Sequence, residues 1–224
     1  MLISMYLVAR EAAYVNSGRV VSTDSGKQQR CVVIDAGHGG ADPGKVGING
    51  SLEKDINLKI ARLLKKFLEA DDIKVVMTRT DEGGLYDESA SNKKVQDMKR
   101  RIEVIEEAKP EAVVSIHQNS YHEEYVHGAQ VFYYDGSESG KKLAELIQER
   151  FLIGTDPENK REAKANNSYY LLKKTSRPIV IVECGFLSNS EEAQKLDSDI
   201  YQERMAWTVH MGILQYLNKM SNQD

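Results

Sequence analysis

Apolar residues along this chain fall into two rhythms. In the first, Val and Ile follow one another without polar alternation: Cys31-Val32-Val33-Ile34, Ala112-Val113-Val114 and Ile179-Val180-Ile181-Val182. Such runs predict strands covered on both faces, as in a parallel α/β sheet. In the second, apolar residues return every three or four positions. Ile56, Ile60, Leu63, Leu64 and Phe67 share one face of a helix over about 51–69, with Ser51 as its N-cap. Val95, Met98, Ile102 and Ile105 do the same over about 92–108, and Leu143, Leu146, Ile147 and Phe151 over 139–151. A last helix is expected over about 199–218. Further strands are predicted at 73–78, 129–134 and, shorter, 169–173. The stretches 118–128, 154–168 and the one between residue 183 and the last helix read as loops. Alternating strands and helices predict an α/β protein with right-handed crossovers.

The first 30 residues depart from this rhythm. Met1 to Ala9 is apolar, and residues 10–30 are polar and read as a linker, with a short strand at 19–22. A mostly apolar stretch of nine residues does not span a bilayer, which needs about 20. It also lacks the basic start of a complete signal peptide. We expect the tail of a longer export or membrane-anchor segment, hence an extracytoplasmic protein; the alternative is a short helix packed on the domain. Residues 31–220 form the catalytic unit in this reading.

Composition excludes one class. Net charge is −4, and no basic stripe is visible, which argues against a nucleic-acid partner. Of the two cysteines, Cys31 begins a strand and Cys184 follows the end of one. In parallel strands they lie at opposite ends of the sheet and cannot bridge.

The strand ends carry the chemistry. Val33-Ile34-Asp35-Ala36 runs into Gly37-His38-Gly39-Gly40, the next run ends at His117, and the last ends at Glu183. In α/β sheets ligands bind at the carboxyl ends of the strands. Glycines on both sides of His38 remove bulk around its ring, and the loop 37–50 holds six of them. Glu53 falls in the first turn of a helix, where the dipole keeps a carboxylate ionised. His38, Glu53 and His117 make the His₂Glu set of a catalytic zinc site with an open position. Glu183 at the end of a buried strand is unfavourable unless paired or solvated. It suits a general base and acid that takes a proton from water and gives it to a leaving nitrogen. The competing reading of Glu183 is a salt bridge to a loop arginine. Asp35 and Asn119 are candidates to hold a histidine tautomer. His122 and His127 read as exposed loop residues and His210 as structural. Tyr121, Tyr125, Tyr169 and Tyr170 suit either sugar stacking or plain packing.

Five segments, in order, resemble the signature blocks of the zinc N-acetylmuramoyl-L-alanine amidases, the amidase-3 family. They are 32–40 (Val-Val-Ile-Asp-Ala-Gly-His-Gly-Gly), 50–55 (Gly-Ser-Leu-Glu-Lys-Asp), 78–81 (Thr-Arg-Thr-Asp), 115–120 (Ser-Ile-His-Gln-Asn-Ser) and 182–189 (Val-Glu-Cys-Gly-Phe-Leu-Ser-Asn). The resemblance covers about residues 31–217. It implies a single domain with a twisted, mixed but largely parallel sheet of about six strands, flanked by helices on both faces. It implies Zn²⁺ on His38, Glu53 and His117, with Glu183 as the acid–base residue. It implies cleavage of the amide between N-acetylmuramic acid and L-alanine in peptidoglycan. Arg101 and Arg161 match family arginines that are structural or orient substrate, and Arg79, in the 78–81 block, is a further candidate to contact substrate or support the site. Gln118 departs from the small or apolar residue many relatives carry, which bears on pocket polarity. The compact chain resembles the CwlD-type amidases, which strip stems from spore cortex so that muramic-δ-lactam can form. Without wall-binding repeats, a protein partner is expected for localisation or activation. The alternatives are a zinc carboxypeptidase or endopeptidase acting within the stem, and a non-catalytic wall-binding protein on the same scaffold.

Overall fold

The computed structural model describes residues 29–221. The expected N-terminal anchor remnant, linker and strand at 19–22 lie outside the described residues. Among the described residues, six strands and six helices follow in the order β1 (Cys31–Ala36), α1 (Glu53–Ala70), β2 (Lys74–Met77), α2 (Lys93–Ala108), β3 (Ala112–Asn119), β4 (Gln130–Tyr133), α3 (Glu138–Gly154), β5 (Lys164–Ala165), α4 (Tyr170–Lys174), β6 (Ile179–Phe186), α5 (Ser190–Leu196) and α6 (Asp199–Ser221). They form one α/β domain with a single sheet in the order β2-β1-β3-β6-β4-β5. The four strands from β2 to β6 run parallel, and β4 pairs with β6 antiparallel. The sheet is therefore mixed and largely parallel.

Continuous apolar runs occur where both faces are covered. Val32, Ile34 and Ala36 belong to the core under α1, α3 and α6, and Val33 belongs to the core under α2 and α4. The period-2 alternation of strands carries on past the apolar residues. It places Asp35, Ser115, His117 and Glu183 on the α2 face, at the carboxyl ends of β1, β3 and β6. No helix among the described residues is long and apolar enough to cross a membrane. Cys31 and Cys184 are both buried and free.

Four local expectations are corrected. Ser51 does not cap α1: the N-cap is Leu52, without a side-chain bond. The loop 37–50 folds over the helix start instead, so that Lys45 O accepts from Glu53 N at 2.9 Å and Pro43 O from Lys54 N at 3.1 Å. Free helical N–H groups need acceptors, and here backbone supplies them. Residues 169–173 are not a strand, because Leu171 and Leu172 are both buried in the short helix α4, whereas a strand would send them to opposite faces. Inside the expected loop 154–168, Lys164–Ala165 pairs with β4 through backbone alone, both residues being exposed. The expected loop after Glu183 contains α5. Asn189 caps it by accepting from Glu192 N, and Ala193 and Leu196 are buried three residues apart.

Candidate active site

The glycine-rich turn after β1 brings His38 back over the sheet. His38 adopts φ 63°, a left-handed conformation rare for a non-glycine residue and held by its surroundings. Arg101 Nη2 donates to His38 O at 2.6 Å, and Arg101 Nη1 donates to Ala36 O at 2.7 Å. Gly37 is required for packing: a Cβ there would lie 2.3 Å from Cε1 of the His117 ring. At Gly44, with φ 68°, a Cβ would meet Glu53 Oε2 at 2.6 Å.

Three ligand-type side chains converge. His38 Nε2 and His117 Nδ1 each lie 3.1 Å from Glu53 Oε1. The two imidazole rings meet edge to face with centroids 5.1 Å apart. One ligand atom from each of His38, Glu53 and His117 lies within 4.8 Å of the others, a group able to hold a metal ion. Lone pairs facing each other at such distances repel unless a proton or a cation lies among them. The chemistry of the set, two imidazoles and a carboxylate, matches a catalytic zinc centre.

Neighbours orient this group. Asp42 Oδ2 lies 3.0 Å from His38 Nδ1, which turns Nε2 toward Glu53. Glu53 Oε2 accepts from Lys45 N at 2.8 Å, and Oε1 from Gln118 N at 3.0 Å. Burial works against an ionised Glu53, but hydrogen bonds and charge from His117 and His38 outweigh it, and its pKa is strongly lowered. Burial likewise opposes a charged His38, yet Glu53 and Asp42 prevail and raise its pKa.

Glu183 stands directly across from His117 in the β3–β6 register. It is 5% exposed. No arginine pairs with it among the described residues. Its Oε1 accepts from Tyr169 Oη at 3.0 Å, while Oε2 is buried with no hydrogen-bond partner among the described residues. Burial raises the Glu183 pKa; the charge of His117 opposes this and that of Glu53 adds to it.

The remaining candidates sit in supporting positions. Asp35 bonds no histidine: it accepts from Ser115 Oγ at 2.5 Å, Thr78 Oγ1 at 2.6 Å and Arg101 Nη1 at 2.7 Å. Arg79 is buried and ties the turn down through Ala36 O, Gly37 O and Lys54 O. Arg101 is 2% exposed and wholly engaged, and Arg161 bonds His127 O and covers the Phe186 ring. The Asn119 side chain accepts from Ser120 N. The Gln118 side chain turns away to Asn57 Oδ1, so its polarity faces α1. His122 and His127 are exposed, and His210 pairs with Asp71 at 2.6 Å. Asp42 and Asn57 were missed from sequence. Asn57 donates to Gly37 O at 3.1 Å and to Glu53 Oε1 at 3.4 Å, and its place one helical turn after Glu53 is a legible signal. A cavity of about 440 Å³ includes His38 and His117 in its lining, together with Tyr86, Lys93, Lys94 and Tyr169.

Fold and site together define an α/β enzyme scaffold whose strand ends gather three side chains able to hold a metal ion beside a buried carboxylate. Residues 32–215 match the N-acetylmuramoyl-L-alanine amidase (amidase-3) family, and the chain belongs to that family and enzyme class. It is 33% identical over 193 residues to the germination-specific N-acetylmuramoyl-L-alanine amidase of Bacillus subtilis, covering 85% of this chain and 81% of that protein. It is 30% identical to the N-acetylmuramoyl-L-alanine amidase LytC of the same organism, where it spans only 35% of that protein's length. Among solved structures it is similar to the CwlD amidase from Clostridioides difficile in complex with the GerS lipoprotein. There the identity is 38%, the TM-score 0.82, and the coverage 85% of this chain and 99% of that one. Family membership points to the muramoyl–alanine amide, not a bond within the stem, and to an enzyme, not a passive wall binder.

Proposed function

We propose that this amidase is a zinc enzyme of the spore cortex, with the ion on His38, Glu53 and His117 and Glu183 as the proton-transfer residue. The convergence of those three side chains within 4.8 Å carries the reading. Zinc there would polarise the scissile carbonyl and make water more acidic. The chain's own residues do the rest. Asp42 fixes the His38 ring, and backbone amides of Lys45 and Gln118 fix the Glu53 carboxylate. Burial makes Glu183 a stronger base than an exposed carboxylate. It accepts a proton from the attacking water as the new C–O bond forms. It then donates that proton to the alanine nitrogen as the C–N bond breaks, giving a stem with a free amino group and a lactyl carboxylic acid that loses its remaining proton to solvent.

Purified wild-type protein is expected to carry about one zinc per chain, and His38→Ala less than about a tenth of that, by elemental analysis under chelator. Equal zinc in both would sink the ligand assignment.

The cortex setting, extracytoplasmic location and use of a protein partner are supported by the likeness to the germination-specific enzyme and to CwlD in complex with a lipoprotein. Digestion of isolated cortex is expected to release stems beginning at L-Ala and to speed up in a sporulating-cell extract. A full rate with zinc-loaded protein alone would remove the partner. Vegetative wall cleaved in preference to cortex would remove the cortex role.

A further inference from the structure

We propose that Tyr169 is a positioning residue for Glu183, holding one carboxylate oxygen so that the other is the one presented to the proton. The proposal rests on the reading of Glu183 given above. Tyr169 Oη donates to Glu183 Oε1 at 3.0 Å, and among the described residues no other side chain hydrogen-bonds that carboxyl. Oε2 is buried and unpartnered. A buried carboxylate oxygen in that state is disfavoured unless a reacting group meets it. The last torsion of a glutamate is broad, so the two oxygens of an unheld carboxylate interchange freely. A single fixed donor removes that equivalence.

The donor is itself held. Asn166 N donates to Tyr133 O at 2.8 Å, which ties the turn to β4. Asn166 Oδ1 accepts from Ser168 N at 2.7 Å and Tyr169 N at 3.1 Å, fixing the backbone ahead of α4. The Tyr169 ring packs edge-on to Phe132 at 5.6 Å. Burial and the charge of Glu183 both raise the phenol pKa, so the hydroxyl keeps its proton and acts as a donor. From sequence, Tyr169 suits packing or sugar stacking; in the fold it stands at the N-cap of α4 with extended backbone.

The test uses the zinc-loaded protein and Tyr169→Phe, which keeps the ring and its contact with Phe132. The expected result is a fall in kcat of about ten- to a hundredfold, the worth of a hydrogen bond to a charged group. KM and zinc content stay at wild-type values. Placed on top of Glu183→Gln and read in single turnover, the same change lowers the rate by less than about twofold, because the group it positions is gone. An unchanged kcat, an equal loss in both backgrounds, or a raised KM with kcat kept would each overturn the proposal. Wild-type cleavage by Glu183→Gln alone would overturn the reading of Glu183 and the proposal with it. Loss in Glu183→Gln beside a fully active Tyr169→Phe would overturn the proposal alone.

Discussion

Glu183→Gln is expected to hydrolyse muramyl peptides about 10²- to 10⁴-fold more slowly than wild type, the range for removing a general base, with zinc content unchanged. Glutamine keeps the shape and the contact with Tyr169 but takes no proton from water. The same variant should melt higher than wild type in metal-free buffer at neutral pH. Burial raises the Glu183 pKa, so the folded state holds that proton more tightly than the unfolded chain does. For a raised carboxylate, stability is greatest below the unfolded pKa and is lost as pH rises through the folded one. Glutamine removes that loss, so the advantage should grow with pH and vanish in acid. Calorimetry on the two proteins after chelation, across that range, reads it. A variant that cleaves normally, or one that melts lower than wild type at neutral pH, would contradict the assigned role or the assigned environment respectively.

Arg101→Met is expected to have the largest effect on stability, about 3–5 kcal/mol, the usual result of stripping one partner from a buried ion pair. Asp35 and Arg101 are 0% and 2% exposed and lie 2.7 Å apart. Burial would raise the Asp35 pKa, but the Arg101 charge and the Ser115 and Thr78 hydroxyls bring it down to about 2. A depressed carboxylate stabilises the fold above its unfolded pKa and loses that contribution as pH falls through the folded value. Without Arg101 the burial of Asp35 goes uncompensated, so its pKa should rise and the deficit of the variant should shrink toward acid pH. Arg101 also holds Ala36 O and His38 O, so the left-handed turn should loosen and zinc affinity fall. Thermal melts should show a loss on the order of 10 °C at neutral pH. A deficit below about 1 kcal/mol, the range of an exposed pair, or one that does not change with pH, would mean that the pair does not hold the turn.

Much of this was legible along the chain because burial on both faces leaves a strong mark. Uninterrupted Val and Ile runs located β1, β3 and β6, and a parallel sheet gathers their ends on one side. That is why the sequence alone groups His38, His117 and Glu183. Where the signal was weak the reading failed. Lys164–Ala165 joins the sheet through backbone bonds, which carry no side-chain pattern. Leu171 and Leu172 side by side suit a buried helical turn as well as a strand. Ser51 looked like a cap because a cap is a local device, yet carbonyls of Pro43 and Lys45 took its place through a fold-back.

What the amino-acid order determined by itself was the α/β class, the buried strands β1, β3 and β6, the longer amphipathic helices and the three ligand-type side chains, since period and spacing are properties of a one-dimensional string. Only the tertiary structure decided that Asp42 steers His38, that Arg101 and Asp35 clamp the turn, and that Tyr169 meets Glu183. The last two join segments 66 residues apart, for Asp35 and Arg101, and 14 apart, for Tyr169 and Glu183. Their geometry is set by how helices α2 and α4 pack on the sheet, and no local pattern encodes a distance across it.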